Sequence, residues 1–100
     1  MSELMPEVIS LKTTVTAAKE NVSCALGDEA AILQMRSGVY YGLDPVGARV
    51  WTLLREPHTV EELREKIISE YEVEPARCEA DLMALLEKLR SQGLIEIRSE

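Results

Sequence analysis

Phenylalanine is missing from this 100-residue chain, tryptophan occurs once and tyrosine three times. The core is therefore expected to be aliphatic, built from Leu, Ile and Val. Histidine also occurs once, as His58, and cysteine twice, as Cys24 and Cys78, far apart and outside any CxxC pair. A zinc pattern is thereby excluded, and both thiols read as buried and reduced. No apolar run is long enough to span a bilayer, and Glu3 and Glu7 stand where a secretory signal needs basic groups. The chain therefore reads as cytoplasmic. Basic residues are in the minority, 11 Lys and Arg against 18 Asp and Glu, for a net charge of -7. Such a surface repels phosphate backbones and anionic lipid, so neither nucleic acid nor a membrane is an expected partner.

What is present is an ordinary globular composition, 46% apolar. The length suits one domain. Residues 1–8 are expected to form a mobile N-terminal tail and residues 9–98 a single domain. Residues 9–16 are rich in Thr and Val and read as extended, with imperfect alternation. Residues 22–26 and 30–35 are better strand candidates, with Gly27-Asp28-Glu29 as the hairpin loop between them. The most telling stretch follows. Ser37-Gly38 is turn chemistry, and Val39, Tyr40, Tyr41 and Leu43 suit a pleated strand. Asp44 is placed as an N-cap, with Pro45 at the first helical position. Three strands joined by short turns make an antiparallel meander.

Beyond Pro45 the apolar period changes to that of a helix. Val46, Val50, Leu53 and Leu54 share one face, and Pro57 ends the segment. Thr59-Val60-Glu61-Glu62 is a capping box, opening a helix with Val60, Leu63, Ile67 and Tyr71 on one stripe. Glu74-Pro75 begins a third helix, whose stripe is Cys78, Leu82, Leu85, Leu86 and Leu89. Gly93 is placed to end it in the left-handed conformation, with Leu94 folding back. Residues 94–98 close as a short strand or extended tail. The class is α+β: a three-stranded antiparallel sheet followed by three helices that cover one of its faces. Trp51 is assigned to the core.

The same residues offer little chemistry. His58 lies between Pro57 and Thr59 without oriented neighbours and reads as an exposed linker residue. The many carboxylates alternate with Lys and Arg on helix faces, as in Glu62 and Lys66, which is the pattern of solvated i,i+4 pairs. No Gly-rich phosphate loop and no Ser nucleophile motif occur. No catalytic residue, no metal site and no cofactor is expected, and the chain is not expected to be an enzyme. Three helices with strands also suit a winged-helix DNA-binding regulator. Its third helix should then be basic, yet Glu79, Asp81 and Glu87 stand there among Arg77, Lys88 and Arg90. A strand ending at Leu43 instead offers a hydrogen-bonding edge to an extended peptide. Alternation sends one of Tyr40 and Tyr41 inward and the other outward, without saying which.

The run from Gly38 to Trp51 resembles the PqqD-like family, as do Thr59-Val60-Glu61-Glu62-Leu63, Cys78-Glu79-Ala80-Asp81-Leu82 and Leu89-Arg90-Ser91-Gln92-Gly93-Leu94-Ile95. The resemblance covers roughly residues 22–97. Members are leader-peptide recognition elements of ribosomally made, post-translationally modified peptides. The tyrosine-rich strand is most similar to the stand-alone recognition proteins of lasso peptide clusters. The resemblance implies a winged helix-turn-helix-like domain. It implies a precursor leader peptide bound as an added antiparallel strand, and delivery to a separate leader peptidase and a separate cyclase. Carried onto this chain, the peptide-binding strand is Val39, Tyr40, Tyr41, Gly42 and Leu43. The facing helix contributes Asp81, Leu82, Leu85, Lys88 and Leu89.

Overall fold

Backbone hydrogen bonding divides the strands of this chain between two small antiparallel sheets. The computed structural model describes residues 8–98. In chain order these form β1 (Thr14–Ala17), β2 (Asn21–Leu26), β3 (Glu29–Gln34), β4 (Val39–Leu43), α1 (Pro45–Leu53), β5 (His58–Thr59), α2 (Val60–Glu70), α3 (Pro75–Ser91) and β6 (Ile95–Arg98). Residues 1–7, nearly all of the expected tail, lie outside the described residues.

The meander β2-β3-β4 forms as its turn residues predict. Leu26 pairs with Glu29, so the β2–β3 loop is only Gly27-Asp28. Gly27 carries φ +68° and among the described residues no non-glycine residue has positive φ, the arrangement of a two-residue hairpin loop with glycine first. Ile32 stands opposite Tyr41, and Leu33 opposite Tyr40. Ile32, Gln34 and Leu43 are buried, while Val22, Cys24 and Tyr40 alternate outward. Cys24 is thus exposed on an edge strand, which corrects its placement among the buried thiols; Cys78 is buried and both are free.

The second sheet, in the order β5-β1-β6, corrects the simple sequence of strands followed by helices. Val15 at its centre pairs with His58 on one side and Ile97 on the other. His58 is therefore a half-buried strand residue rather than an exposed linker, with Nδ1 2.9 Å from the Glu56 carbonyl oxygen. These strands are two to four residues long, too short for alternation to register as a pattern. Their backbone groups are satisfied by partners remote in the chain, which local propensity does not report.

The helix signals hold in detail. The Asp44 carboxylate accepts the Gly47 N–H at 2.8 Å and caps α1. Both bonds of the α2 capping box form: the Glu62 N–H donates to Thr59 Oγ1 at 3.1 Å and the Thr59 N–H to the Glu62 carboxylate at 2.9 Å. At the end of α3, Gly93 adopts φ +74°, its N–H donates to the Arg90 carbonyl, and the Leu94 N–H donates to the Leu89 carbonyl at 2.9 Å. That is a Schellman ending, and Leu94 is wholly buried beyond it. One core joins both sheets and all three helices, with Val15, Ile32, Trp51, Leu63, Leu86 and Leu94 among its members. Two ion pairs link the helices at the surface, Arg49 with Glu70 and Arg64 with Glu79.

Candidate functional site

β4 is the last strand of its sheet. β3 pairs with one side of it, and among the described residues no strand pairs with the other. Its outer row of N–H and C=O groups is thus open for pairing. Facing that edge is α3, and between the two lies a groove of about 860 Å³. Leu43, Val50, Ile67, Leu82 and Leu89 line its depth and belong to the core. Leu85, half-buried, stands on the α3 wall with Arg77, Asp81 and Lys88. Asp44 and Gly47 also line it, together with Glu72, Val73 and Glu74 from the α2–α3 connection. An apolar trough with a polar rim and one open strand edge is suited to an extended chain.

Polar contacts brace the groove where α3 terminates. The buried Gln34 side chain donates from Nε2 to the Gln92 carbonyl at 3.1 Å, while its Oε1 accepts the Arg36 N–H at 2.9 Å. The Tyr41 hydroxyl is hydrogen bonded to Gln92 Oε1. The C-terminal turn of α3 is thereby fastened to β3 and β4, and this fixes the width of the groove there. It also answers the alternation question. Tyr41 packs against the core and reaches α3, whereas Tyr40 is 70% exposed.

Nine of the ten residues expected at the site surround this one groove: Tyr40, Tyr41, Gly42, Leu43, Asp81, Leu82, Leu85, Lys88 and Leu89. Val39 starts the strand but does not line the groove. Val50 and Ile67, members of helix stripes by their spacing, also form the groove's depth, which the sequence does not signal. Gln34 and Gln92 are likewise unsignalled, because their bond spans 58 positions in the chain. No local signal could have found that pair.

Catalytic chemistry finds little to build on here. Cys78 lines the groove, but burial pushes its thiol up from the ordinary range, and Asp81 adds to this; a thiol so placed is a poor nucleophile. His58 is not among the lining residues. Among the described residues no group of three or more His, Cys, Asp or Glu is placed to hold a metal ion, and no helix is long and apolar enough to cross a membrane.

Comparison with known proteins adds a family. A model described as coenzyme PQQ synthesis protein D (PqqD) matches residues 29–95. No curated protein matches the chain. Two solved structures are similar to it. One, described as TbiB1 in complex with the TbiA(beta) leader peptide, shares 35% identity over 85% of this chain and 99% of that one, with a TM-score of 0.76. The other, described as lasso peptide synthetase B1 complexed with the leader peptide, shares 27% identity over 82% of this chain and 96% of that one, with a TM-score of 0.71.

Proposed function

Since the chain belongs to the PqqD family, we propose that it binds the leader segment of a ribosomally synthesised precursor peptide in lasso peptide biosynthesis, as a strand added along β4. The observation that carries this reading is the open edge of β4 facing an apolar groove. Main-chain pairing supplies a baseline that tolerates many sequences, and the groove supplies selectivity. Four or so ladder hydrogen bonds contribute about 0.5–1.5 kcal/mol each. Two or three guest side chains buried against Leu82, Leu85 and Tyr41 add roughly 1.5–3 kcal/mol each before ordering costs. Affinities from micromolar to nanomolar follow for a leader that orders on binding.

In this reading the protein does no chemistry. It presents the precursor to a separate leader peptidase and a separate cyclase, in a cytoplasm that keeps Cys24 and Cys78 reduced. The binding residues are Val39, Tyr40, Tyr41, Gly42 and Leu43 of the strand with Asp81, Leu82, Leu85, Lys88 and Leu89 of the helix. The winged-helix likeness belongs to the same reading.

Duplex binding has no support. Arg77 lies 3.8 Å from Asp81 and Arg90 2.9 Å from Glu87, so much of the cationic charge of α3 is offset on the helix itself. The net charge of -7 opposes the counterion release that DNA binding uses.

Fluorescence anisotropy with a labelled leader of a lasso precursor tests the proposal. Saturable binding is expected, and Leu85→Asp should abolish it by placing a charge in the trough. Absence of saturation with leader sequences of this class would falsify the proposal. Loss of binding by Leu85→Asp counts only where circular dichroism shows the variant folded. The milder Leu85→Ala, expected to weaken binding without unfolding, keeps the test decisive.

A further inference from the structure

We propose that charge in this groove sets the polarity of a guest that lies antiparallel to β4. The preferred occupant is an extended peptide with a cationic residue on the N-terminal side of its apolar contacts and an anionic residue on the C-terminal side. This rests on strand addition at β4 and goes beyond it to the class of peptide selected.

The contacts at the two ends of α3 carry the inference. Gln92 is fastened to Gln34 and Tyr41, which places the C-terminal turn of α3 beside the start of β4. From Gln92 back to Arg77 the helix runs about 22 Å. The five residues of β4 span about 17 Å. Lys88, one turn before Gln92, therefore stands toward the Tyr40–Tyr41 half of the groove. The beginning of α3 lies toward Leu43 and Asp44, where the α2–α3 connection adds Glu72 and Glu74 to the lining.

These groups differ in how much charge they leave available. Arg77 and Asp81 stand close enough to offset one another, and Asp44 is occupied by the N-terminus of α1. Lys88, Glu72 and Glu74 are exposed and make no ion pair among the described residues. What remains is an ammonium at one end of the groove and two carboxylates at the other. A strand antiparallel to β4 has its N-terminal end over Leu43 and its C-terminal end over Val39. Its N-terminal side thus meets Glu72 and Glu74, and its C-terminal side meets Lys88. A guest with the opposite polarity meets like charge at both ends. Such juxtapositions act on specificity more than on raw affinity.

Peptides selected from a random phage-displayed library against the full chain supply the probe. Binders dependent on the groove, identified by weakened binding to Leu85→Ala, are expected to carry Lys or Arg before their apolar positions and Asp or Glu after them. Exchanging those two charges in a synthetic copy should weaken binding by about three- to tenfold at low salt, with the difference shrinking at high salt. Lys88→Glu should narrow the difference, and its exposed side chain makes a large change in melting temperature unexpected. Groove-dependent binders whose affinity ignores the exchange, or a difference that Lys88→Glu leaves intact, overturn the charge assignment while strand addition stands. Recovery of no binder sensitive to Leu85→Ala overturns the groove reading, and the charge assignment with it.

Discussion

Gln34 is the residue on which the shape of the site most depends. It is polar, nine-tenths buried, and bonded at both ends of its amide, to the Gln92 carbonyl and to the Arg36 N–H. Gln34→Ala removes both bonds, each of ordinary net strength because Arg36 and Gln92 are exposed. A loss of about 1–3 kcal/mol is expected, seen in thermal melts as roughly 4–8 °C for each kcal/mol in a domain of this size. Hydrogen exchange should quicken in the last turn of α3 more than in α1. Equal quickening in both helices would show that Gln34 acts on the whole core rather than on the groove. Tyr40 and Tyr41 show where reading by residue stops. Alternation established that they face opposite ways, but the choice followed from which side of the sheet the helices covered.

Each helix carries its own boundary signals, and most of them are local bonds. Asp44 caps α1, Thr59 and Glu62 cap α2, and Gly93 ends α3. These were legible because a cap and the backbone it satisfies lie within a few positions. Gly93→Ala places an L side chain at φ +74°, with its Cβ 3.2 Å from Gln34 Nε2. A destabilisation of about 1 kcal/mol is expected from the backbone alone, and crowding of Gln34 should raise it. Chemical denaturation gives the value; a variant as stable as the parent would show that the α3 ending relaxes freely. The strands of the second sheet carried no comparable signal. β5 is two residues long and exists because β1 lies beside it.

At the scale of the molecule, the three helices are joined across their surfaces by charge as well as by the core. Arg49 grips the Glu70 carboxylate with two bonds, both 2.8 Å, linking α1 to α2. The hydrogen bonds from Arg49 and its charge hold the Glu70 carboxyl below its usual range, with Lys66 assisting, against partial desolvation. A carboxyl whose folded pKa is depressed adds stability that is present above its unfolded value, near 4.5, and is lost as the pH falls through the folded value. The melting temperature should therefore decline on acidification below about pH 4.5, and decline less in Glu70→Gln. Both side chains are about a third exposed, so the effect is modest and weakens with salt. Parallel pH profiles for the two proteins would remove Glu70 from the acid response.

Local chemistry determined much of this protein: the meander from Asn21 to Leu43, three helices with their caps, an aliphatic core around Trp51, and a strand suited to pairing. Each depends on residues adjacent in the chain or separated by one helical turn, so period and capping reveal them. Tertiary structure alone decided the rest. It withdrew β1 into a second sheet with β5 and β6, left the outer edge of β4 open, and turned Tyr41 rather than Tyr40 toward α3. It also brought Glu72, Glu74 and Lys88 to the lining of one groove. Those outcomes depend on which surfaces meet when the core closes. Hydrophobic burial drives that closure without specifying direction, and long-range polar bonds such as Gln34 to Gln92 then hold one arrangement.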